Sequence, residues 1–130
     1  MAFSTASSIP LMDEALGDEL FALREDPDLA RMQQQIWREV RNGIEPDLER
    51  ALGGEPRDLK ANLHRIRGYC SSCALCRLEK VLLDWESQPC AAEASKRYAP
   101  LALETTLLSI AAIESRYPHL RPPLQTPRSK

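Results

Sequence analysis

The stretch LKANLHRIRGYCSSC, residues 59–73, is where the fold of this chain reads most directly. Its apolar members Leu59, Leu63, Ile66, Cys70 and Cys73 stand at i, i+4, i+7, i+11 and i+14, the spacing that stacks side chains on one face of an α-helix. That face is expected to be buried, with Leu63 and Ile66 anchoring it. Lys60, His64, Arg67, Gly68 and Ser71 repeat the spacing one residue later, so they form a neighbouring stripe directed at solvent.

Upstream, Asp26-Pro27 reads as an N-cap followed by proline at the first helical position. The helix it opens carries Met32, Ile36, Val40, Ile44, Leu48 and Leu52 at i+4 steps, widened by Trp37 and Ala51, until Gly53-Gly54 stop it. Pro46 within this run predicts a kink or a brief interruption. A shorter helix is expected before it, from Leu11 to Leu23. Glu55-Pro56 restarts the chain ahead of the 59–73 segment. Downstream, Leu75, Leu78, Leu82 and Trp85 define a helix ending near Gln88-Pro89. The last helical region, Ala91 to Tyr117, places Leu103, Leu107, Ile110 and Tyr117 on one face, with Pro100 as a start or a kink and Pro118 as the stop.

The composition agrees. The chain has 130 residues, 43% hydrophobic and 28% charged, which fits one compact domain. Aromatic residues make up 5% and there are five glycines, while Leu, Ala, Glu and Arg are abundant, favouring helices over sheets. The expected fold is all-α, an up-and-down four-helix bundle with an additional short N-terminal helix acting as a lid. Residues 1–10 read as a flexible N-terminus, 11–117 as the bundle and 118–130 as a flexible, proline-rich basic tail. Seventeen Lys and Arg against 19 Asp and Glu leave no basic excess for nucleic acid, and the apolar runs are too short for membrane insertion. The first ten residues lack Lys, Arg and a continuous apolar core, so the expected location is cytoplasmic, with the four cysteines as reduced thiols.

The polar stripe holds the chemistry. Glycine within a helix costs about 1 kcal/mol relative to alanine, so Gly68 asks for a reason. One turn beyond His64, it opens a path to the imidazole. Arg67 at i+3 can bring a guanidinium suited to phosphoryl oxygens, and Lys60 at i−4 adds a second cation. An imidazole attacks phosphorus only through an unprotonated nitrogen, a form that neighbouring positive charges favour. No carboxylate set for Mg²⁺ stands beside His64 in the sequence and no glycine-rich phosphate loop is present. Activation of a phosphoryl donor therefore has to come from another protein.

Leu63-His64-Arg65-Ile66-Arg67-Gly68 resembles the His-x-x-Lys-Gly signature of the histidine-containing phosphotransfer domains. The likeness continues through Cys70-Ser71-Ser72-Cys73-Ala74 and Leu78 to Leu83-Asp84-Trp85-Glu86, where that family shows a leucine-rich turn ending in Glu. Ile36 to Leu52 is similar to the family's preceding helix, so the resemblance spans Leu11 to Tyr117. It implies a four-helix bundle whose exposed His accepts a phosphoryl group from a receiver-domain aspartyl phosphate and passes it to another receiver. His64 would be the phosphoacceptor, Arg67 the cation beside the phosphoryl oxygens and Gly68 the access position, with Lys60 and Ser71 as secondary contacts. The chain itself would carry no cofactor and turn over no substrate. Mg²⁺ would come with the partner receiver, and a hybrid sensor kinase is a further partner. Arg67 departs from the usual Lys, Tyr69 stands where a small residue is common, and Ala74 replaces a frequent Gly. These departures bear on transfer rate and partner choice more than on fold.

Two rival readings belong beside it. Cys70, Cys73 and Cys76 follow the spacing of an iron-sulfur ligand run, which makes a metal or iron-sulfur protein the alternative. Cys90, which follows Cys76 after 13 intervening residues and comes after Pro89, does not complete that pattern. Zinc held by His64 and the cysteines would consume the nucleophile. Buried small hydrophobes at 70 and 73 and a turn position at 76 are the plainer expectation. The other rival is a docking module of the same fold that transfers nothing. His119 lies between Pro118 and Leu120 and is expected to be inert.

Overall fold

The computed structural model describes residues 9–23 and 25–122. Among them are five α-helices and no strand: α1 Glu14–Phe21, α2 Pro27–Gly53, α3 Leu59–Ser72, α4 Cys76–Glu86 and α5 Ala91–Arg116. Single 3-10 turns, Pro56–Asp58 and Pro118–Leu120, precede α3 and follow α5. Each of the four longer helices packs on the next, and α2 also packs on α5, so their apolar faces close around one core.

Caps set the helix starts. Asp13 accepts a hydrogen bond from the Leu16 amide at 3.1 Å, which confines α1 to a shorter span than 11–23. Asp26 accepts from the Asp28 amide at 2.9 Å, and Pro27 follows as expected at the start of α2. Pro46 does not interrupt α2 and Pro100 does not start α5, both helices running on through these residues. Each proline removes the hydrogen bond to the carbonyl four residues back. Pro46 with Asn42, and Pro100 with Lys96, are exposed, so water can take those carbonyls.

The core faces follow the sequence in α3 and α4 and depart from it in α2 and α5. Leu59, Leu63, Ile66 and Cys70 are buried, as are Leu75, Leu78, Leu82 and Trp85. In α2, Val40, Ile44 and Leu48 are buried, but Met32 is 57% exposed and Ile36 and Leu52 are also at the surface. A strict four-residue repeat turns through 400°, drifting about 40° per step at 3.6 residues per turn. Over five steps that drift carries the ends of the stripe off the central face, and Gln33, Trp37 and Ala51 take the buried places. In α5 the buried face is Tyr98, Ala102, Thr105, Thr106, Ser109 and Ile113, while Leu107 is 60% exposed and Leu103 and Ile110 are half-buried. Small and hydroxyl side chains bring this helix close to its neighbours. Thr106 satisfies its own hydroxyl by donating to the Ala102 carbonyl at 2.8 Å.

The ordered domain is wider than 11–117. Leu120 is buried in the core, Gln34 donates to the His119 carbonyl at 2.8 Å, and Arg121 Nε donates to the Glu114 carbonyl at 3.1 Å. At the other end, Arg77 and the Cys76 thiol donate to the Ile9 and Pro10 carbonyls. The remainder of the expected flexible segments, 1–8 and 123–130, lies outside the described residues. Helix α1 is strapped to the C-terminal end of α5. Phe21 packs edge-on to Trp37 at 6.0 Å and against Tyr117 at 5.9 Å. Arg116 donates to Asp18 through two nitrogens, and the Tyr117 hydroxyl donates to the same carboxylate at 2.6 Å. At Gly17 an added Cβ would lie 2.6 Å from the Tyr117 hydroxyl and from Met12 Cε, so only glycine permits this approach.

Two expectations follow. Ala74, between α3 and α4, is the one non-glycine residue with positive φ, at 65°, among those described. That conformation costs about 1–2 kcal/mol for an L-residue. Ala74→Gly should therefore leave the urea midpoint unchanged or raised despite the lost methyl, whereas Ala102→Gly, the same change in mid-α5, should lower stability by about 1 kcal/mol or more. Arg116 foremost, with Tyr117, lowers the Asp18 pKa from 3.8 to about 2. A depressed carboxylate pKa contributes stability above its ordinary value and loses it as pH falls through the folded value. The stability gap between the native chain and Asp18→Asn, read from urea unfolding, should shrink between pH 4 and 2.

Candidate functional site

Burial of one face of α3 turns the next stripe outward. The His64 side chain is 70% exposed, Lys60, Gly68 and Ser71 are also exposed, and Arg67 is half-buried. The structure thus brings His64, Arg67 and Gly68 together on an open surface. Ser71 is directed elsewhere, its hydroxyl donating to Glu79 of α4 at 2.7 Å, two turns along from His64.

A carboxylate not assigned a role from the residue pattern completes the group. Glu86, at the end of α4, accepts from Arg67 Nε at 3.1 Å through one oxygen. Its other oxygen lies 3.6 Å from His64 Nδ1. Arg67 also places a terminal nitrogen 2.8 Å from His64 Nδ1. A guanidinium only donates, so Nδ1 is the acceptor and the ring proton of the neutral imidazole sits on Nε2. Arg67 is therefore not a free cation: it is ion-paired and hydrogen-bonded, with three N–H groups still unspent in this cluster. Signal for Glu86 was present in the register of the two helices. Contacts between residues 64 and 86 and between 71 and 79 are each symmetric about residue 75, as an antiparallel helix pair requires.

Gly68 has open space around it. A Cβ built there meets nothing within 4 Å, so internal packing does not demand glycine. The Ser72 hydroxyl donates to the Gly68 carbonyl at 3.1 Å, supporting the backbone where the side chain is missing. Tyr69, half-buried, lies over Gly43 of α2, with ring atoms 3.9 Å from where a Cβ would stand. Its bulk is spent on packing between α2 and α3.

Cys70 and Cys73 are core residues, whereas Cys90 is exposed. Cys70 and Cys73 are buried, Cys76 is half-buried and donates to the Pro10 carbonyl, and all four cysteines are free. Burial raises the Cys70 and Cys76 thiol pKa values and lifts Cys73 to about 11. Among the described residues no group of three or more His, Cys, Asp and Glu is placed to hold a metal ion. No described helix is long and apolar enough to cross a membrane. His119 is a structural residue, its Nε2 lying 3.1 Å from Gln33 Oε1, and burial lowers its pKa.

Comparisons with protein-family models, with curated proteins and with solved structures find no match to this chain.

The unoccupied surroundings of Gly68 lead to a stability measurement. Gly68→Ala fills open space in a solvent-facing helix, so it should stabilise the chain by about 1 kcal/mol in urea unfolding. A loss instead would mean that α3 needs glycine for its own packing.

Proposed function

We propose that the chain is a histidine phosphotransfer protein of a two-component phosphorelay, with α2–α5 as an up-and-down four-helix bundle and α1 as the additional short helix. The observation that carries this reading is an imidazole standing clear in mid-helix, its Nδ1 accepting from Arg67, which Glu86 pairs, with open space one turn along at Gly68. Nδ1 is occupied by its neighbours, so Nε2 is the nitrogen offered to a partner. The donor is a receiver-domain aspartyl phosphate, and Mg²⁺ is held by that receiver rather than by this chain. A second receiver or a hybrid sensor kinase would complete the relay.

The transfer needs the opposite tautomer from the resting one. When Arg67 leaves Nδ1 for the incoming phosphoryl oxygens, Nδ1 can take a proton from solvent and keep it, directed at the Glu86 carboxylate, while Nε2 loses its own to water. The Nε2 lone pair then attacks phosphorus, the N–P bond forms, and the P–O bond to the aspartate breaks with the carboxylate leaving. The product ring keeps its proton on Nδ1, facing Glu86, and Arg67 pairs with the phosphoryl oxygens. One guanidinium thus couples arrival of the phosphoryl group to activation of the nucleophile.

The resting tautomer also supports a second reading, a docking module of the same fold that binds receivers without transfer, because an Nε2 that carries its proton has no free lone pair. A phosphorylated receiver carrying labelled phosphate separates the two. Phosphotransfer requires label on the native chain, none on His64→Gln, and unchanged helicity of that variant by circular dichroism. Gly68→Gln should cut transfer at least about tenfold by filling the access space, without unfolding α3. Receiver binding with no label on the native chain would select the docking reading, and label on His64→Gln would exclude His64 as acceptor.

A further inference from the structure

We infer that the hollow between α2 and the C-terminal 3-10 turn binds a small, multiply charged oxyanion, independently of the relay reading. This cavity, about 640 Å³, lies within the range of small-molecule sites. Its polar lining consists of Arg38, Arg41, Arg121, Gln34 and Asn42, with no Asp or Glu. Trp37 and Leu120 give it an apolar floor. None of its lining residues comes from α3 or α4, so it shares nothing with His64.

Charge in the hollow is out of balance. Glu114 stands behind the floor, its Oε2 2.7 Å from Arg41 Nε and accepting from the Trp37 indole at 2.9 Å. One carboxylate therefore stands against three guanidiniums and pairs with one of them, Arg41. Arg38 and Arg121 have no carboxylate partner among the described residues. Arg121 donates through Nε to the Glu114 backbone carbonyl, which steadies the guanidinium and leaves its terminal N–H groups for a ligand. With Arg41 paired to Glu114, the Arg38 and Arg121 guanidiniums remain uncompensated in one concavity, and a bound anion would relieve that excess of positive charge. Guanidinium forks match phosphate and carboxylate oxygens two at a time, and the carboxamides of Gln34 and Asn42 supply further donors at the rim. Gln34 is itself tied to the His119 carbonyl, so the two walls of the hollow are joined.

The test uses pyrophosphate and citrate as probes, titrated at low ionic strength by calorimetry and followed in ¹H–¹⁵N spectra. Saturable binding should move the Trp37 indole resonance and leave that of Trp85, which donates to the Ala91 carbonyl far from the hollow. The double variant Arg38→Ala/Arg121→Ala removes two surface cations and should weaken binding at least about tenfold, equal to about 1.4 kcal/mol. Binding of pyrophosphate alone would assign phosphate ligands, and of citrate alone carboxylate ligands. No saturable shift of Trp37 with either probe, or equal affinity in the double variant, would overturn the site.

Discussion

Everything His64 can reach depends on how α3 is rotated, and that rotation is set by burial of Leu59, Leu63, Ile66 and Cys70. Each of the larger side chains contributes on the order of 1.5–3 kcal/mol when removed from water, so turning the helix by one residue would be prohibitive. The imidazole is exposed because its neighbours at 63 and 66 are not. An exposed ring on a flexible loop would have to be ordered by contacts of its own. Here the apolar face has already done so.

The same constraint explains which parts of the molecule were legible in the amino-acid sequence. In α3 and α4 the apolar steps alternate between three and four residues, so the pattern tracks one face and predicts burial correctly. In α2 the eye follows an unbroken four-residue repeat, and the accumulated drift puts Met32 and Ile36 at the surface. In α5 the packing face consists of Ala102, Thr105, Thr106 and Ser109, residues that hydropathy does not mark, while the conspicuous Leu107 faces water. The segment from residue 118 read as a flexible tail because of its prolines and basic residues. Leu120 and two side-chain-to-carbonyl hydrogen bonds, through Gln34 and Arg121, hold its first residues to the domain, and these contacts join segments more than 80 residues apart as well as near neighbours.

At the candidate site, His64, Arg67 and Gly68 were legible because helical spacing alone brings them together. Glu86 was not, since its position depends on how α4 folds back on α3. Its presence changes the electrostatics: the cationic group becomes a neutralised pair resting against the ring. Arg67 is then held by two partners of different strength, a carboxylate and an imidazole nitrogen. In the proposed relay, exchanging the weaker one for phosphoryl oxygens would preserve the ion pair, so the guanidinium would not have to be stripped of its charge partner.

The symmetry of the α3–α4 hairpin about residue 75 has an implication for sequence change. Both cross-helix contacts, 64 with 86 and 71 with 79, are measured from the same short connection at residues 73–75. One residue added or removed there would slide α4 by about 1.5 Å and turn it by about 100°, carrying Glu86 and Glu79 away from their partners together. Substitutions in this connection are tolerable wherever backbone geometry allows, but its length is a shared ruler, and divergent copies of the chain should preserve that count more faithfully than the residues that make it up.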